Sequence, residues 1–281
     1  MKKNLISTVI PVYKNTEQFL KLLKNNYPYI QDTEIIIVDD ASGENLKDIL
    51  NKQFPKIIVL ENKTNQGFAC SVNNGVSHAS GDIILLLNSD VKLLDDSYKA
   101  VVNNFENQQL FAISFLQIEK DNSYIGKNKT YFKRGLFFHK KAENLNKGIN
   151  GWAEGGSCLL RKNYFTELKG FDDLYKPFYW EDIDLSYRAY KKGWVILFSP
   201  DVKVEHHHES TIGKYNSSEK IKIISYKNQI LFMWKNLDGS KLFLHLLWLP
   251  YNIIFFLMKG EINFLKGLYM AIGQLRQIKR I

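Results

Sequence analysis

The sequence predicts an α/β fold with a mostly parallel central sheet flanked by helices, followed by a helical C-terminal tail. Short apolar segments alternate with segments of helical periodicity over the first 90 residues, which is the pattern of βαβ units. These apolar segments are continuous rather than alternating, so we expect strands covered by helices on both faces. With 281 residues, the chain can form one large domain or one domain with an appendage.

The predicted elements follow in order from the N terminus. Apolar runs predict strands at 5–13, 34–40, 56–62 and 82–90. Helical patterns between them predict helices at 15–26, 44–53 and 67–79. Asn15 and Gln18 have the spacing of a capping box, so the first helix is expected to open there. The apolar run of the opening segment is short and interrupted, which favours a strand over a signal peptide.

A helix with an acidic start is predicted in the second half of the chain. The stretch FYWEDIDLSYR places Glu181, Asp182 and Asp184 directly after three aromatic residues. Asp184 and Arg188 are four residues apart, as in an ion pair along a helix, and a glycine after 192 provides a stop. We therefore expect a helix over 182–192, followed by two short strands within 194–210.

Composition narrows the classes of partner. The formal charge of +9 fits nucleic acid, anionic lipid or phosphorylated small molecules. From Lys235 to the end there are seven basic and two acidic residues, in an apolar setting without a nucleic-acid-binding motif. Nucleic acid is therefore not an expected partner. Cys70 and Cys158 lack metal-ligand spacing, which indicates a reducing compartment.

Polar residues follow three of the predicted strands, as the pairs Asp39 and Asp40, Asn62 and Asn65, and Asn88 and Asp90. Open α/β sheets bind ligands at this carboxyl edge. One such pair would be explained by helix capping or a turn, but three in register favour a site. Glycine-rich dinucleotide and P-loop motifs do not occur in the sequence. A divalent cation held by carboxylates, Asp90 among them, would then neutralise a diphosphate.

Two further positions have alternative explanations. Asp182 could simply cap its helix, but the aromatic residues before it and the glycines of GWAEGGSC suggest a sugar pocket in which a carboxylate acts as general base. Val202, Val204, His206 and His208 share one face of a predicted strand. One of these histidines could bind a metal or lie at a solvated edge, and the pattern leaves both open.

Together, these segments resemble the family 2 glycosyltransferases of the GT-A fold, particularly the bacterial rhamnosyltransferase-like branch. The resemblance covers residues 4 to 236 through ordered motifs that include STVIPVYKN, IIIVDDAS, GDIILLLNSD, WEDIDLSYRAYKKGW and VEHHHES. It implies a GT-A catalytic domain over 1–236 and a helical C-terminal extension over 237–281. The implied reaction is inverting transfer from a nucleotide-diphosphate sugar, dTDP-rhamnose or a UDP-sugar, to a hydroxyl of a glycan or lipid-linked glycan in envelope polysaccharide synthesis.

The resemblance also implies residue roles. Asp182 matches the catalytic base, and Asp90 with His206 matches the ligands of Mg²⁺ or Mn²⁺. The nucleotide and substrate are expected to meet Pro11, Tyr13, Asp39, Asp40, Asn65, Gly67, Asn88, Ser89, Gly156, Trp180 and Glu181. Glu181 and Asp184 are expected to orient the acceptor or support the loop. Asn88 stands where many members carry an acid, which lowers the expected metal affinity.

Other interpretations remain at this stage. Asn88 would suit a non-catalytic nucleotide-sugar or glycan-binding protein with a degenerate site, and a polyprenyl-phosphate sugar synthase is a further alternative. The tail segment LFLHLLWLPYNIIFFLM is interrupted by His245, Pro250 and Asn252. It is therefore expected to lie on an anionic membrane surface, or to pack as a lid or against a second copy in a homodimer, rather than to span a bilayer. The expected location is cytoplasmic, with peripheral attachment to the inner face of the plasma membrane.

Overall fold

The structure is a computed structural model and describes residues 5–43, 45–206, 213 and 215–279. Its strands are β1 (Ile6–Val12), β2 (Glu34–Asp39), β3 (Ile58–Glu61), β4 (Ile83–Leu87), β5 (Val91–Leu93), β6 (Leu110–Ile118), β7 (Tyr124–Ile125), β8 (Asn128–Lys133), β9 (Leu136–Lys141), β10 (Gly148–Ile149), β11 (Ser157–Arg161) and β12 (Val195–His206). Its helices are α1 (Thr16–Ile30), α2 (Leu46–Gln53), α3 (Phe68–His78), α4 (Tyr98–Val101), α5 (Lys162–Glu167), α6 (Glu181–Lys191), α7 (Ser218–Asn236), α8 (Gly239–Met258) and α9 (Ile262–Gly273).

The central sheet has the strand order β10-β12-β6-β11-β4-β1-β2-β3, and β8 and β9 form a separate hairpin. Strands β4, β1, β2 and β3 are parallel, as their continuous apolar sequences predicted. The second half of the sheet is mixed, because β11 runs antiparallel between β4 and β6 while β12 is parallel to β6. The predicted α/β fold with a helix-flanked sheet and a helical C-terminal region is confirmed.

Both faces of the sheet are covered. Ile10 and Val12 of β1 pack towards α1 and α2, whereas Val9 points into the layer formed by α3, α5 and α6. Each of these strand side chains is almost fully buried. The parallel strands therefore end at one edge between the two helical layers, which is where the polar residues that follow them are brought together.

The first helix differs from its prediction at both ends. Asn15 has a left-handed backbone (φ 50°) and its side chain makes no capping hydrogen bond, so the predicted capping box is wrong. The helix continues past 26 to Ile30. Buried Asn26 donates to Val91 O at 2.9 Å and accepts from Leu93 N at 2.8 Å. These tertiary bonds tie the last turn to β5, which local sequence signals could not reveal.

The region after α6 forms one long strand instead of the two predicted. The pairing of β12 with β6 shifts register between Ser199 and Lys203, so the chain passes Pro200 without ending the strand. Val202, Val204 and His206 are buried on one face, as the alternation predicted. His208 and Glu44, the first residue of the predicted second helix, lie outside the described residues.

The C-terminal helices form a third core with the β8–β9 hairpin. Phe232 of α7, Phe264 of α9, Phe137 of β9 and Trp180 belong to one buried cluster. Side chains on both sides of the predicted boundary at 236 thus share a core. The division into a catalytic domain over 1–236 and an extension over 237–281 stays a prediction.

Candidate active site

A cleft of about 990 Å³ opens at the carboxyl edge of the parallel strands. The segment 177–183, which leads into α6, forms its opposite wall. The cleft brings together nearly all the residues to which the sequence assigned a role: Pro11, Tyr13, Asp40, Asn65, Gly67, Asn88, Ser89, Asp90, Gly156, Trp180, Glu181, Asp182 and His206. Asp39 and Asp184 are the exceptions, because neither lines the cleft. The buried Asp39 carboxylate accepts from Ser42 N at 2.9 Å.

Asp40 shapes the loop that follows β3. Its carboxylate accepts from the backbone N–H groups of Gln66 and Gly67, at 2.7 and 2.8 Å, and from Asn62 Nδ2 at 2.8 Å. Gly67 has φ 84°, a conformation that favours glycine. This carboxylate thus holds the 65–67 segment against the cleft, with its hydrogen-bonding capacity largely used within the protein.

Asp90 and His206 face one another at the base of the cleft, with Asp90 Oδ1 3.4 Å from His206 Nε2. The other ring nitrogen, Nδ1, lies 2.8 Å from Gln117 Oε1. Gln117 Nε2 donates to the Glu154 carboxylate, which also accepts from Asn128 Nδ2 at 2.6 Å. A carboxylate can only accept, so the Gln117 amide orientation is fixed and its oxygen accepts from His206 Nδ1–H. His206 therefore presents Nε2 to Asp90.

This arrangement fits a divalent cation. A carboxylate oxygen and an imidazole nitrogen, the latter with its other N–H held by an amide, are a common ligand pair for such ions. Over residues 5–43, 45–206, 213 and 215–279, no group of three or more His, Cys, Asp or Glu side chains is arranged to hold a metal. These two side chains would thus supply part of a coordination sphere.

Two consecutive glycines give this part of the cleft its shape. A Cβ added at Gly156 would lie 2.7 Å from His206 Cε1 and 3.1 Å from Asn88 Nδ2. A Cβ at Gly155 would lie 3.0 Å from the Phe68 ring. The sequence suggested glycines for the close approach of a ligand. The structure shows that they first allow His206, Asn88 and Phe68 to pack against the backbone.

Glu181 and Asp182 begin α6 at the other side of the cleft. Asp182 Oδ1 accepts from Ile183 N at 2.8 Å, and Oδ2 lies 3.5 Å from Gly155 N. Burial raises the pKa of Asp182 to about 6, and the nearby Glu154 charge adds to the rise. Burial next to Asp182 also raises the pKa of Glu181 to about 8. Both carboxyl groups thus bind their protons more tightly than they would in water.

Asp184 has a structural role rather than contact with the cleft. Its fully buried carboxylate accepts from Arg188 Nε at 2.7 Å, Tyr175 OH at 2.8 Å, Asn236 Nδ2 at 2.7 Å and Lys235 Nζ at 3.0 Å. Burial alone would raise its pKa, but Arg188 and Lys235 hold the pKa of Asp184 below its ordinary value. Of the two roles predicted for this acid, supporting the loop fits and orienting the acceptor does not.

Asn228 holds the aromatic wall in place, a role that the sequence did not reveal. Its side-chain amide, buried in α7, donates to the carbonyls of Tyr175, Phe178 and Tyr179 at 2.7, 2.9 and 2.9 Å. Tyr179 and Trp180 have positive φ values of 69° and 78°, which are unusual for bulky residues. The adjacent Lys227 donates to Lys176 O at 2.7 Å. In the sequence, the polar residues Lys227 and Asn228 within the YKNQILF segment are the feature that could have indicated this role.

Other lining residues had also escaped the sequence reasoning. Lys14 adds a cation close to the rings of Tyr13 and Tyr215. Glu154, His139 and Trp152 line the side next to Trp180, and the His139 ring lies 5.4 Å from the Trp180 ring. Its place between Trp152 and two glycines in WAEGG could have identified Glu154 as a site residue from the sequence. His139 comes from the hairpin, which has no recognisable sequence pattern.

The family model of Glycosyl transferase family 2 matches residues 7–168, more than half of the chain. The chain belongs to glycosyl transferase family 2. The resemblance to family 2 that the sequence predicted is confirmed. Relatives in the same family have named activities.

This family 2 chain is 24% identical over 201 residues to a poly-beta-1,6-N-acetyl-D-glucosamine synthase of Staphylococcus aureus (strain COL), covering 69% of the chain and 48% of that protein. It is 38% identical over 64 residues to an N-acetylglucosaminyl-diphospho-decaprenol L-rhamnosyltransferase of Mycobacterium tuberculosis (strain ATCC 25618 / H37Rv), covering 23% of the chain and 20% of that protein. The chain thus spans about half the length, or less, of these relatives.

Among solved structures, GalNAc-T7 with UDP, GalNAc and Mn²⁺ superposes with a TM-score of 0.66 at 15% identity. The match covers 83% of this chain and 48% of that one. At this identity the likeness shows the fold alone, and that fold is the GT-A fold expected of a family 2 member.

Proposed function

We propose that this protein is a metal-dependent inverting glycosyltransferase. It would move a sugar from a nucleotide-diphosphate sugar to a hydroxyl of a glycan or lipid-linked glycan in envelope polysaccharide synthesis. The observation that carries the proposal is the placement of Asp182, a carboxylate with a raised pKa, across one cleft from the Asp90–His206 pair. Adjacent glycines 155 and 156 lie against the two sides, so base and metal pair border the same space.

The proposed reaction is a single in-line displacement. The acceptor hydroxyl oxygen forms a bond to the anomeric carbon as the bond from that carbon to the diphosphate oxygen breaks, and the hydroxyl proton passes to Asp182. A base with a pKa near 6 is ionised at neutral pH and still basic enough to share the proton in the transition state. The segment held by Asn228 would present Trp180 to the sugar ring.

The residues that would hold a divalent cation are Asp90 and His206. A bound Mg²⁺ or Mn²⁺ would offset the negative charge that develops on the departing diphosphate. Gln117 would keep His206 in the tautomer that offers Nε2, and Lys14 would add a positive charge at the cleft. Asn88 beside Gly156 would supply a neutral contact in place of a second acid.

The names of two relatives indicate which sugar donors to test. One relative is named as a rhamnosyltransferase and another as a poly-N-acetylglucosamine synthase, so dTDP-rhamnose and a UDP-sugar are the two donors that we propose to test. The base and ribose would lie against Pro11, Tyr13, Asn65 and Gly67, at the ends of β1 and β3.

The test is calorimetric binding of UDP, dTDP and GDP, each with and without Mn²⁺, followed by transfer assays with the matching donor. We expect metal-dependent binding of one nucleotide, and its loss in Asp90→Ala. Asp96→Ala is the matched control, because Asp96 is exposed and pairs with the partly exposed Lys99. Absence of binding to all three nucleotides by the folded protein would contradict the proposal.

The role of Asp182 has its own test. Asp182→Asn is expected to lower kcat by roughly 10²–10⁴-fold, the usual contribution of a general base, with nucleotide binding retained. The measurement is steady-state transfer together with calorimetric binding on the same preparation. Near-normal transfer by the folded variant would exclude Asp182 as the base.

A further inference from the structure

Helix α8 packs on the protein by a mixed face, on which His245 and Asn252 lie among the partly buried side chains of Leu242, Leu249, Ile253 and Phe256. Across Gly239–Met258 only His245 and Asn252 are buried. His245 Nδ1 lies 2.7 Å from Gly135 O, and its Nε2 accepts from Trp234 Nε1 at 3.0 Å. Asn252 Nδ2 donates to Arg134 O at 2.9 Å. Two polar side chains thus anchor this helix to the protein by hydrogen bonds within an otherwise apolar contact.

The opposite side of α8 is apolar and open. Six of its side chains are each at least half exposed: Phe243, Leu246, Leu247, Ile254, Leu257 and Met258. At 100° per residue these positions, with Leu244 and Tyr251, cover an arc of about 160° that is free of charged residues. A contiguous exposed apolar surface of this kind marks an interaction site.

The β8–β9 hairpin lies beside one edge of this arc, at Tyr251. Lys133 and Arg134 at its tip are exposed, and they line a cavity of about 260 Å³ between the hairpin and α8, together with aromatic rings that include Tyr131, Tyr251 and Phe255. Residues 127–141 contain six basic side chains and no acidic one. Lys133 and Arg134 thus lie near one edge of the apolar arc, beside Tyr251.

We propose that the α8 arc and the hairpin tip together form a docking surface for an anionic lipid bilayer. The apolar side chains would enter the boundary between headgroups and acyl chains, and Lys133 and Arg134 would contact lipid phosphates. The tyrosines at the cavity suit this boundary, since their rings are apolar and their hydroxyls polar. This inference goes beyond the proposed transfer reaction and does not depend on it.

Two other occupants fit the surface less well. A symmetric dimer through the arc would use the same patch on both copies. It would bring the basic hairpins of the two copies, which have no acidic residue over 127–141, to the same interface, where their like charges repel. By length and composition α8 could also cross a membrane. Spanning would remove the hydrogen bonds of His245 and Asn252 and place these polar groups in hydrocarbon.

The test is flotation of the full chain with vesicles of phosphatidylcholine alone or with 30% phosphatidylglycerol, a composition chosen for the assay, at low and high salt. We expect binding to the anionic vesicles that weakens as salt rises. Lys133→Glu with Arg134→Glu should reduce partitioning on the order of tenfold to a hundredfold, because each basic residue at a bilayer surface contributes several-fold. Lys21→Glu with Lys24→Glu on exposed α1 positions is the control of equal charge change, and should bind like the wild type.

A second variant probes the apolar arc. Leu247→Ser with Ile254→Ser replaces exposed side chains, so folding should be retained while vesicle binding falls.

Three outcomes would overturn the proposal. They are no binding of the folded wild type to anionic vesicles, equal loss in the α1 control, or resistance of bound protein to alkaline carbonate, which indicates a spanning helix. A sedimentation-detected dimer that Leu247→Ser with Ile254→Ser dissociates, without vesicle binding, would assign the arc to a second copy.

Discussion

Burial raises the pKa of the neighbouring carboxyl groups of Glu181 and Asp182. Asp182 accepts from Ile183 N, which favours its charged form, while the Asp182 charge adds to the rise at Glu181. A proton kept by Glu181 would let that carboxyl donate a hydrogen bond while Asp182 accepts one. The pair could serve two different hydroxyl groups of a bound sugar.

The raised pKa of Glu181 predicts a specific stability change. Its folded pKa, about 8, lies above the ordinary value of 4.5, so the folded state binds the proton more tightly than the unfolded state. This contribution is complete below pH 4.5 and is lost as pH rises towards 8. The free energy of unfolding of the wild type should therefore fall as pH rises through that window. In Glu181→Gln this fall should be smaller, by up to ~1.4 kcal/mol per pH unit.

Urea unfolding at several pH values measures this change. Glu106→Gln, at an exposed position of the 3₁₀ helix after α4, is the matched control and should follow the wild type. A variant at 181 with the same pH dependence as the wild type would show that Glu181 is ionised in the folded protein.

Gln117 is predicted to tune metal binding through His206. Gln117→Leu removes the acceptor of the His206 Nδ1–H, so the ring is no longer held with Nε2 towards Asp90. Partners of this kind typically contribute 10–100-fold to metal affinity, and we expect a loss of that size in Mn²⁺-dependent nucleotide binding. Binding in the presence of EDTA should not change, which separates a metal effect from damage to the nucleotide pocket.

Gln109→Leu just before β6 provides the control, since that position is exposed. Calorimetric titration of Mn²⁺ at fixed nucleotide is the direct measurement. Equal Mn²⁺ affinity in the wild type and Gln117→Leu would show that His206 does not need this partner.

Helix α7 holds in place the two segments that form one wall of the cleft. Asn228 bonds three carbonyls of the 175–179 segment, and Lys235 and Asn236 of the same helix reach Asp184 in α6. One helix thus fixes both the aromatic wall and the acidic helix. The position of Asp182 depends on it.

Asn228→Ala should release the aromatic segment. The carbonyls left without a donor are expected to lower the free energy of unfolding by about 1–3 kcal/mol, and chymotrypsin should cut at Phe178 to Trp180 more than tenfold faster. Urea unfolding and timed proteolysis of the variant beside Asn103→Ala, an exposed asparagine, measure both effects. Unchanged proteolysis would mean that the segment is held by its own packing.

The sequence predicted some elements well and others not at all, for physical reasons. Strands such as β2 and β4 are continuous apolar runs between turn residues, so their pattern is local. The β8–β9 hairpin has no such pattern, because Leu136 and Phe137 are buried against α7, nearly a hundred residues further along the chain. Gln117 and Asn228 are polar residues in apolar elements, and only the folded arrangement shows which groups they meet.

At the scale of the whole molecule, the C-terminal helices belong to the main body. Phe264 and Leu268 of α9 pack with Phe232 of α7, in the core that also contains Trp180. The sequence predicted a helical extension over 237–281 that lies on a membrane surface, packs as a lid or contacts a second copy. Burial of each such side chain contributes roughly 1.5–3 kcal/mol, comparable to the net stability of a domain when several are combined.

Truncation after Asp238 is therefore expected to unfold or aggregate the protein. Removal of 239–281 exposes the apolar side of α7, whereas truncation after Gln274 removes mainly exposed residues and should be tolerated. Near-ultraviolet circular dichroism and light scattering of both truncations measure the difference. A monomeric, native-like 1–238 fragment would support the division into a catalytic domain over 1–236 and an extension over 237–281.

The hairpin joins the two surfaces described above, since β9 has Arg134 just before it at one end and His139 in the wall of the cleft. Five residues of extended strand measure about 17 Å. With the tip on a bilayer, strand length would set an upper limit on the height at which the proposed reaction takes place. The protein would then select acceptors by how far their reactive hydroxyl stands above the lipid phosphate, and a shorter or longer acceptor would be passed over even with the correct terminal sugar.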